Sequence, residues 1–189
     1  MRTIMSSAAL IAAVVSVNLN ADDAGSYAAQ ARAITRQFAT KLNGELQNAL
    51  QNGGPLQAVG VCKERPPAIA AALSEKSGWQ VRRSGLKPRN MALDTPDPWE
   101  QHVLRQSEDR NGHGEAVDSL TYAEVVDENG GRRYRYMQAI PTTQVCLACH
   151  GSNIDPTLVQ TIDAAYPGDQ GRGFAVGDIR GAFILSRPR

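Results

Sequence analysis

Aromatic residues make up only 5% of this 189-residue chain, which also holds just three cysteines, three histidines and a formal net charge of +1. Each shortage excludes something. A nearly neutral surface rules out nucleic acid and acidic membranes as principal partners, because both are bound through clustered positive charge. Beyond the opening segment no apolar run approaches the roughly 20 residues that a spanning helix needs, and neither an internal repeat nor a low-complexity tail is present. Few aromatics leave a core that a large flat cofactor, bringing its own apolar surface, would help to fill. An odd number of cysteines cannot all pair within one chain, so at least one thiol is left outside any disulfide.

The opening segment reads as export machinery. Arg2, a short apolar run from Ser6 to Val17 and the small residue Ala21 describe a secretory leader cut after Ala21. An uncleaved anchor is the alternative, and the run is short for one. Cleavage would remove one arginine and no acid, leaving a neutral chain of 168 residues, enough for one domain with a genuine core. The expected division is therefore a leader over 1–21 and a single domain over 22–189, placed in the periplasm. In that oxidising compartment a free thiol is a liability unless it is buried or bound to metal.

Along the rest of the chain the hydrophobic period changes once. Ile34, Phe38, Leu42, Leu46 and Leu50 recur every four residues, which predicts a long amphipathic helix ending at Asn52 to Gly54. Pro55 suits the first turn of a second helix carrying Leu56, Val59, Val61 and Cys62, and Pro66 with Pro67 is expected to stop or kink it. Trp79 to Arg83 alternates like a strand, and Trp99 to Glu108 reads as a short helix. A hairpin turning at Asn129 to Gly131 and a last strand, "GAFILS", complete the pattern. Helices followed by an antiparallel sheet of three to five strands make the fold class α+β.

The chemistry lies in "QVCLACHGS", Gln144 to Ser152, which orders Cys146, Cys149 and His150 as C-x-x-C-H. Two thiols at this spacing match the two vinyl groups of a haem, and the next imidazole can bind the iron, a pattern that signals c-type attachment. Haem c, one group joined through Cys146 and Cys149, leaves Cys62 as the spare thiol. A thioredoxin-like dithiol would need a βαβ unit that is not visible. Zinc would need Cys62 together with the awkwardly adjacent Cys149 and His150. For the position opposite His150 the chain offers Cys62, His102, His113, Met91, Met137 and the tyrosines, or an open site. The two histidines read better as surface residues, and the methionines as packing or turn residues. Buried propionates need cationic partners, for which Lys87, Arg89, Arg132, Arg133, Arg135 and Arg180 are candidates, although the alternating arginines of "RRYRY" read first as solvated strand charges.

Four stretches together, "AVGVCKERPPAIA", "RRSGLKPRNMALDTPDPWE", "CLACHG" and "YPGDQGRGFAVGDIRGAF", resemble the Tll0287-like family of periplasmic c-type haem proteins, whose domain is similar to PAS-type sensor modules. The resemblance implies thioethers at Cys146 and Cys149, His150 on one face of the iron and Cys62 on the other. It also implies that the "SGLKPRN" and "GDIRG" segments wall the pocket and bring Lys87, Arg89 and Arg180 near it. The family often has Asn-Pro where this chain has Asn90-Met91. The implied fold is N-terminal helices on a central antiparallel sheet, PAS-like. The function expected is a redox or small-gas sensor acting through a periplasmic redox or signalling partner, a diatomic gas being the ligand sensed. A periplasmic electron carrier that keeps both ligands is the alternative. An enzymatic role lacks any spacing argument, and the long first helix offers a face for a homodimer.

Overall fold

The computed structural model describes residues 21–128 and 130–189. The expected leader over the first twenty residues, and Asn129 of the expected turn, lie outside the described residues.

The first element, α1, runs Ala21–Ser77 and is broken once, at Gly54, whose backbone (φ 68, ψ −168) no other residue adopts cheaply. The break reverses the chain. Arg65 Nη2 donates to Glu45 Oε1 at 3.0 Å although the two lie 20 residues apart, a separation that an unbroken helix would stretch to about 30 Å. The result is the pair of limbs expected from the "NGG" signal. Pro66 and Pro67, in contrast, neither stop nor restart the second limb. They remove the helical donors to the carbonyls of Cys62 and Lys63, and the limb persists because Ala58 and Val59 before them and Ile69 and Leu73 after them are buried.

Four strands follow: β1 (Gln80–Ser84), β2 (Thr121–Glu128), β3 (Gly131–Pro141) and β4 (Ile179–Pro188). They form one antiparallel sheet in the order β1-β4-β3-β2. Between β1 and β2 lie α2 (Met91–Asp94) and α3 (Pro98–Gly112), and between β3 and β4 lie α4 (Leu147–His150) and α5 (Pro156–Ala165). The protein is thus α+β, with its N-terminal helical hairpin against an antiparallel sheet.

Strand alternation decides which face each residue serves. Val81, Tyr134, Tyr136, Phe183 and Leu185 pack under Ile34, Phe38, Ile69 and Leu73 of α1. Met137, Ala139, Ala182 and Ile184 face the other way, onto Val103 and Leu104 of α3. Helix α3 begins at a capping box in which Asp97 accepts from the Glu100 amide at 2.8 Å and Glu100 Oε2 accepts from Asp97 N at 3.2 Å.

Because both faces are covered, Arg135 is not a solvated strand charge. Its guanidinium is buried, pairs with Asp97 at 2.6 Å, Glu128 at 2.8 Å and Glu100 at 3.3 Å, and lies 4.1 Å over the Trp99 ring. A third small core forms where Val59 of α1 meets Leu158, Ile162 and Tyr166 on α5 and its end. Helix α5 escapes the sequence reading although its signal was present, with Asp155 as N-cap and Pro156 in the first turn.

Candidate functional site

After β3 the chain turns tightly through Gln144–Cys146 and then α4, so Cys146, Cys149 and His150 sit on one short helical segment. Gly151 makes the exit: a Cβ there would lie 2.7 Å from the Leu147 carbonyl oxygen. The returning loop then clasps the segment, with Gly173 N donating to Gly151 O at 3.1 Å and Phe174 N to His150 O at 3.0 Å.

The imidazole is fixed by the same loop. His150 Nδ1 lies 2.6 Å from the Gly171 carbonyl, and Arg89 Nη1 lies 3.5 Å from Nε2. A carbonyl only accepts and a guanidinium only donates, which assigns the proton to Nδ1 and leaves Nε2 unprotonated, its lone pair facing Arg89 at the long end of hydrogen-bond distance. Burial, reinforced by the charges of Arg180 and Arg89, holds the imidazole well below its ordinary pKa and therefore neutral. A neutral imidazole with its far nitrogen anchored to a carbonyl is the form that binds a metal.

Arg89 is the centre of this arrangement. Its Nε donates to Asp169 Oδ1 at 3.1 Å, and Nη2 donates to the carbonyls of Cys149 at 2.6 Å and Gly171 at 3.1 Å. Asp169 also accepts from Gly171 N and from Arg172 Nε, both at 2.7 Å. Burial would raise the Asp169 carboxyl, but the Arg89 hydrogen bonds and charge, with Gly171 and Arg172, hold it below its ordinary value. The pair is buried, with side-chain exposures of 6% and 1%, and it ties "KPRN" to both the cysteine motif and the loop.

A cavity of about 460 Å³ opens beside this cluster, within the range of cofactor sites. Leu42, Leu46 and Leu50 of the first limb of α1 line it, so the four-residue stripe serves both the core and this wall. Cys62 and Pro66 of the second limb, Val81 and Arg83 of β1, and Ile140 at the end of β3 add further wall, opposite Cys146, Cys149 and His150. All three cysteines are free. Burial raises the thiol pKa of Cys62 against the pull of Arg83, Arg89 and Arg180, and burial likewise raises that of Cys149.

The wall is largely apolar, and some of its polar groups lack partners. Arg180 has no hydrogen bond or ion pair among the described residues, and burial together with Arg83 and Arg89 pulls its pKa down to about 10. Arg83 has only Asp94, at 3.8 Å, and its buried Nε is unpartnered, as is the hydroxyl of Tyr166. With Arg89 matched by Asp169 and Arg83 by Asp94, the charge of Arg180 is left over. A ligand that is mostly apolar, flat enough to meet two cysteines and an imidazole, and anionic at one edge fits these walls.

Of the residues expected at the pocket, Cys62, Cys146, Cys149, His150, Arg89 and Arg180 converge on the cavity. Lys87 does not: it is exposed, with Nζ 5.0 Å from the centroid of Phe174, and lines a separate hollow with Leu104 and Glu108. His102 and His113 are exposed on α3 and at its end. Met91 is 38% exposed, and Met137 is buried between sheet and α3. Arg132 is exposed at the start of β3. Among the described residues no group of three or more His, Cys, Asp or Glu side chains is placed to share one ion. Arg83, Asp94 and Asp169 were missed, and Tyr166 entered only as one of the five tyrosines. Arg83 carried a signal, since it shares the inward face of β1 with Val81.

A family model described as Tll0287-like matches residues 13–188. The chain belongs to the Tll0287-like family. Among solved structures, one described as the crystal structure of the cyanobacterial heme-protein Tll0287 is similar, with a TM-score of 0.63 at 24% identity over 90% of this chain and 98% of that one. Likeness at that identity shows the shared fold. No curated protein matches the chain.

Proposed function

We propose that this member of the Tll0287-like family is an exported, periplasmic protein whose cavity holds one haem c, and that it works as a redox or small-gas sensor. The observation that carries the reading is the convergence of Cys62 with Cys146, Cys149 and His150 on one largely apolar cavity that Arg180 lines without a matching acid among the described residues. Cys146 and Cys149 would be the thioether attachments, and His150 would offer the unprotonated Nε2 that its Gly171 contact prepares, with Arg89 giving way there. Cys62 would face it from α1, and Arg180 with Arg83 would meet the carboxylates. Arg89, which the resemblance brings near the pocket, would hold His150 through Asp169 and the carbonyls of Cys149 and Gly171 rather than meet a propionate.

Bound haem supplies a one-electron iron couple and, where a ligand leaves, an open coordination position. Cys62 is the group suited to leave. Burial disfavours its thiolate where no metal holds the charge, so Sγ would be the ligand more readily given up, whereas His150 is anchored by backbone. A periplasmic signalling or redox partner, and a diatomic gas as ligand, follow from this reading.

A second reading, electron transfer with both ligands kept, is favoured by Leu93 and Val145, which line the cavity while 48% and 54% exposed and leave an edge open to a partner.

The test is the ferric visible and electron paramagnetic resonance spectrum of matured protein, with and without Cys62→Ser. The wild type is expected to show a low-spin thiolate signature that the substitution removes. A signature that survives Cys62→Ser defeats the ligand assignment, and a denatured chain of unmodified mass defeats the covalent haem. Carbon monoxide added to the reduced protein separates the two roles: a new band supports ligand exchange, and an unchanged spectrum supports the carrier.

A further inference from the structure

Tyr166 is buried, at 6% exposure, and its hydroxyl has no hydrogen-bond partner among the described residues. Leaving a buried hydroxyl unpartnered forfeits the hydrogen bonds it would make with water, so a group that satisfies it is expected in the working protein. The ring belongs to the small core that Val59 of α1 forms with Leu158 and Ile162 of α5, against which Cys149 packs, and the Arg89 guanidinium lies 5.8 Å from its centroid. The residue lines the same cavity as Cys62. Val59 stands three residues before Cys62 on the helix, and residues so spaced share a face. The phenol that packs on Val59 is therefore carried to the stretch of wall where the Cys62 thiol emerges.

We propose that the Tyr166 hydroxyl donates a hydrogen bond to the Cys62 sulfur when that sulfur is the thiolate ligand of the bound haem, and so sets how much charge the sulfur gives to the iron. The inference rests on the haem reading above and adds a positioning residue that the cysteine motif does not contain. A donor on a ligating sulfur withdraws charge from it, weakens its bond to the metal and raises the reduction potential. Tyr166 thereby eases the departure of Cys62 that the sensor reading needs.

Tyr166→Phe keeps the ring against Val59 and removes one oxygen, which makes it the variant to examine in matured protein. The iron–sulfur stretching band in the resonance Raman spectrum is expected to move to higher frequency in the variant, and the reduction potential to fall. The small band shift on transfer of the wild type to heavy water is expected to vanish in the variant. An iron–sulfur band and a potential identical to wild type overturn the proposal. A heavy-water shift that persists in Tyr166→Phe also overturns it, because another donor, such as Arg180, then holds the sulfur. Failure of the underlying reading looks different: Cys62→Ser leaves the thiolate signature in place, or no iron–sulfur band exists in the wild type.

Discussion

Arg89→Ala is the perturbation whose size follows most directly from the structure. The substitution strips Asp169 of its bidentate partner inside the protein, where the two side chains are 6% and 1% exposed. It also takes the donor from the carbonyls of Cys149 and Gly171. Removing one member of a buried ion pair costs about 3–5 kcal/mol, and Arg172, still 2.7 Å from Asp169, holds the loss to the lower end, about 3 kcal/mol. For a chain of this length that corresponds to a melting temperature lower by about 6–12 °C. Thermal and urea unfolding of the matured protein, followed by circular dichroism, measure it. Arg172→Ala is the control: its guanidinium is 28% exposed, and a pair that open to solvent contributes about 1 kcal/mol or less. The pH dependence has a definite sign. The folded-state pKa of Asp169 is depressed, so its contribution is fully present above the unfolded carboxyl value near ~3.9 and is lost as pH falls through the folded value. The gap between wild type and Arg89→Ala should therefore be constant near neutrality and narrow in acid. A loss below about 1 kcal/mol, or a gap that widens in acid, refutes the clamp.

Two further substitutions test the frame around the site. Gly181→Ala places a Cβ 2.6 Å from the Ser84 carbonyl oxygen at a residue with φ +153, so a loss of about 2–3 kcal/mol is expected in thermal unfolding, and a neutral result would mean that β1 and β4 separate easily there. Glu100→Gln keeps the shape of a carboxylate that is 1% exposed but removes the charge between Arg82 and Arg135. A loss of about 3 kcal/mol is expected from a buried pair broken on one side, and urea midpoints that coincide with wild type would show that Asp97 and Glu128 suffice for Arg135.

Local features of this fold were legible in the sequence because local physics makes them. The "NGG" signal marks the reversal at Gly54, period-two alternation places Tyr134 and Tyr136 on one face and Met137 on the other, and C-x-x-C-H delivers its three groups on one turn. The rest depends on tertiary placement. Whether Arg135 meets water or Glu100 depends on α3 lying over that face, which no pattern in "RRYRY" contains. Arg89 and Arg180 look alike as sequence, and only the position of Asp169 makes one a clamp and leaves the other without a counterion. Pro66 and Pro67 follow the rule for helix breakers until the burial of Ala58, Val59, Ile69 and Leu73 outweighs two missing backbone bonds. Tyr166 had no local signal, since its importance lies in an unpartnered hydroxyl.

The walls of the cavity come from opposite ends of the chain, and this imposes an order of assembly. The turn from Gln144 to Gly151 is local and can present its two thiols while the remainder is still unfolded. Cys62 reaches the same space only after the chain has doubled back at Gly54 and the hairpin has docked on the sheet. A group tethered at the turn, as the proposed function has it, would thus acquire its neighbour on α1 only once the hairpin has docked, and lesions in the hairpin would then yield chains that carry the tether but not the finished coordination.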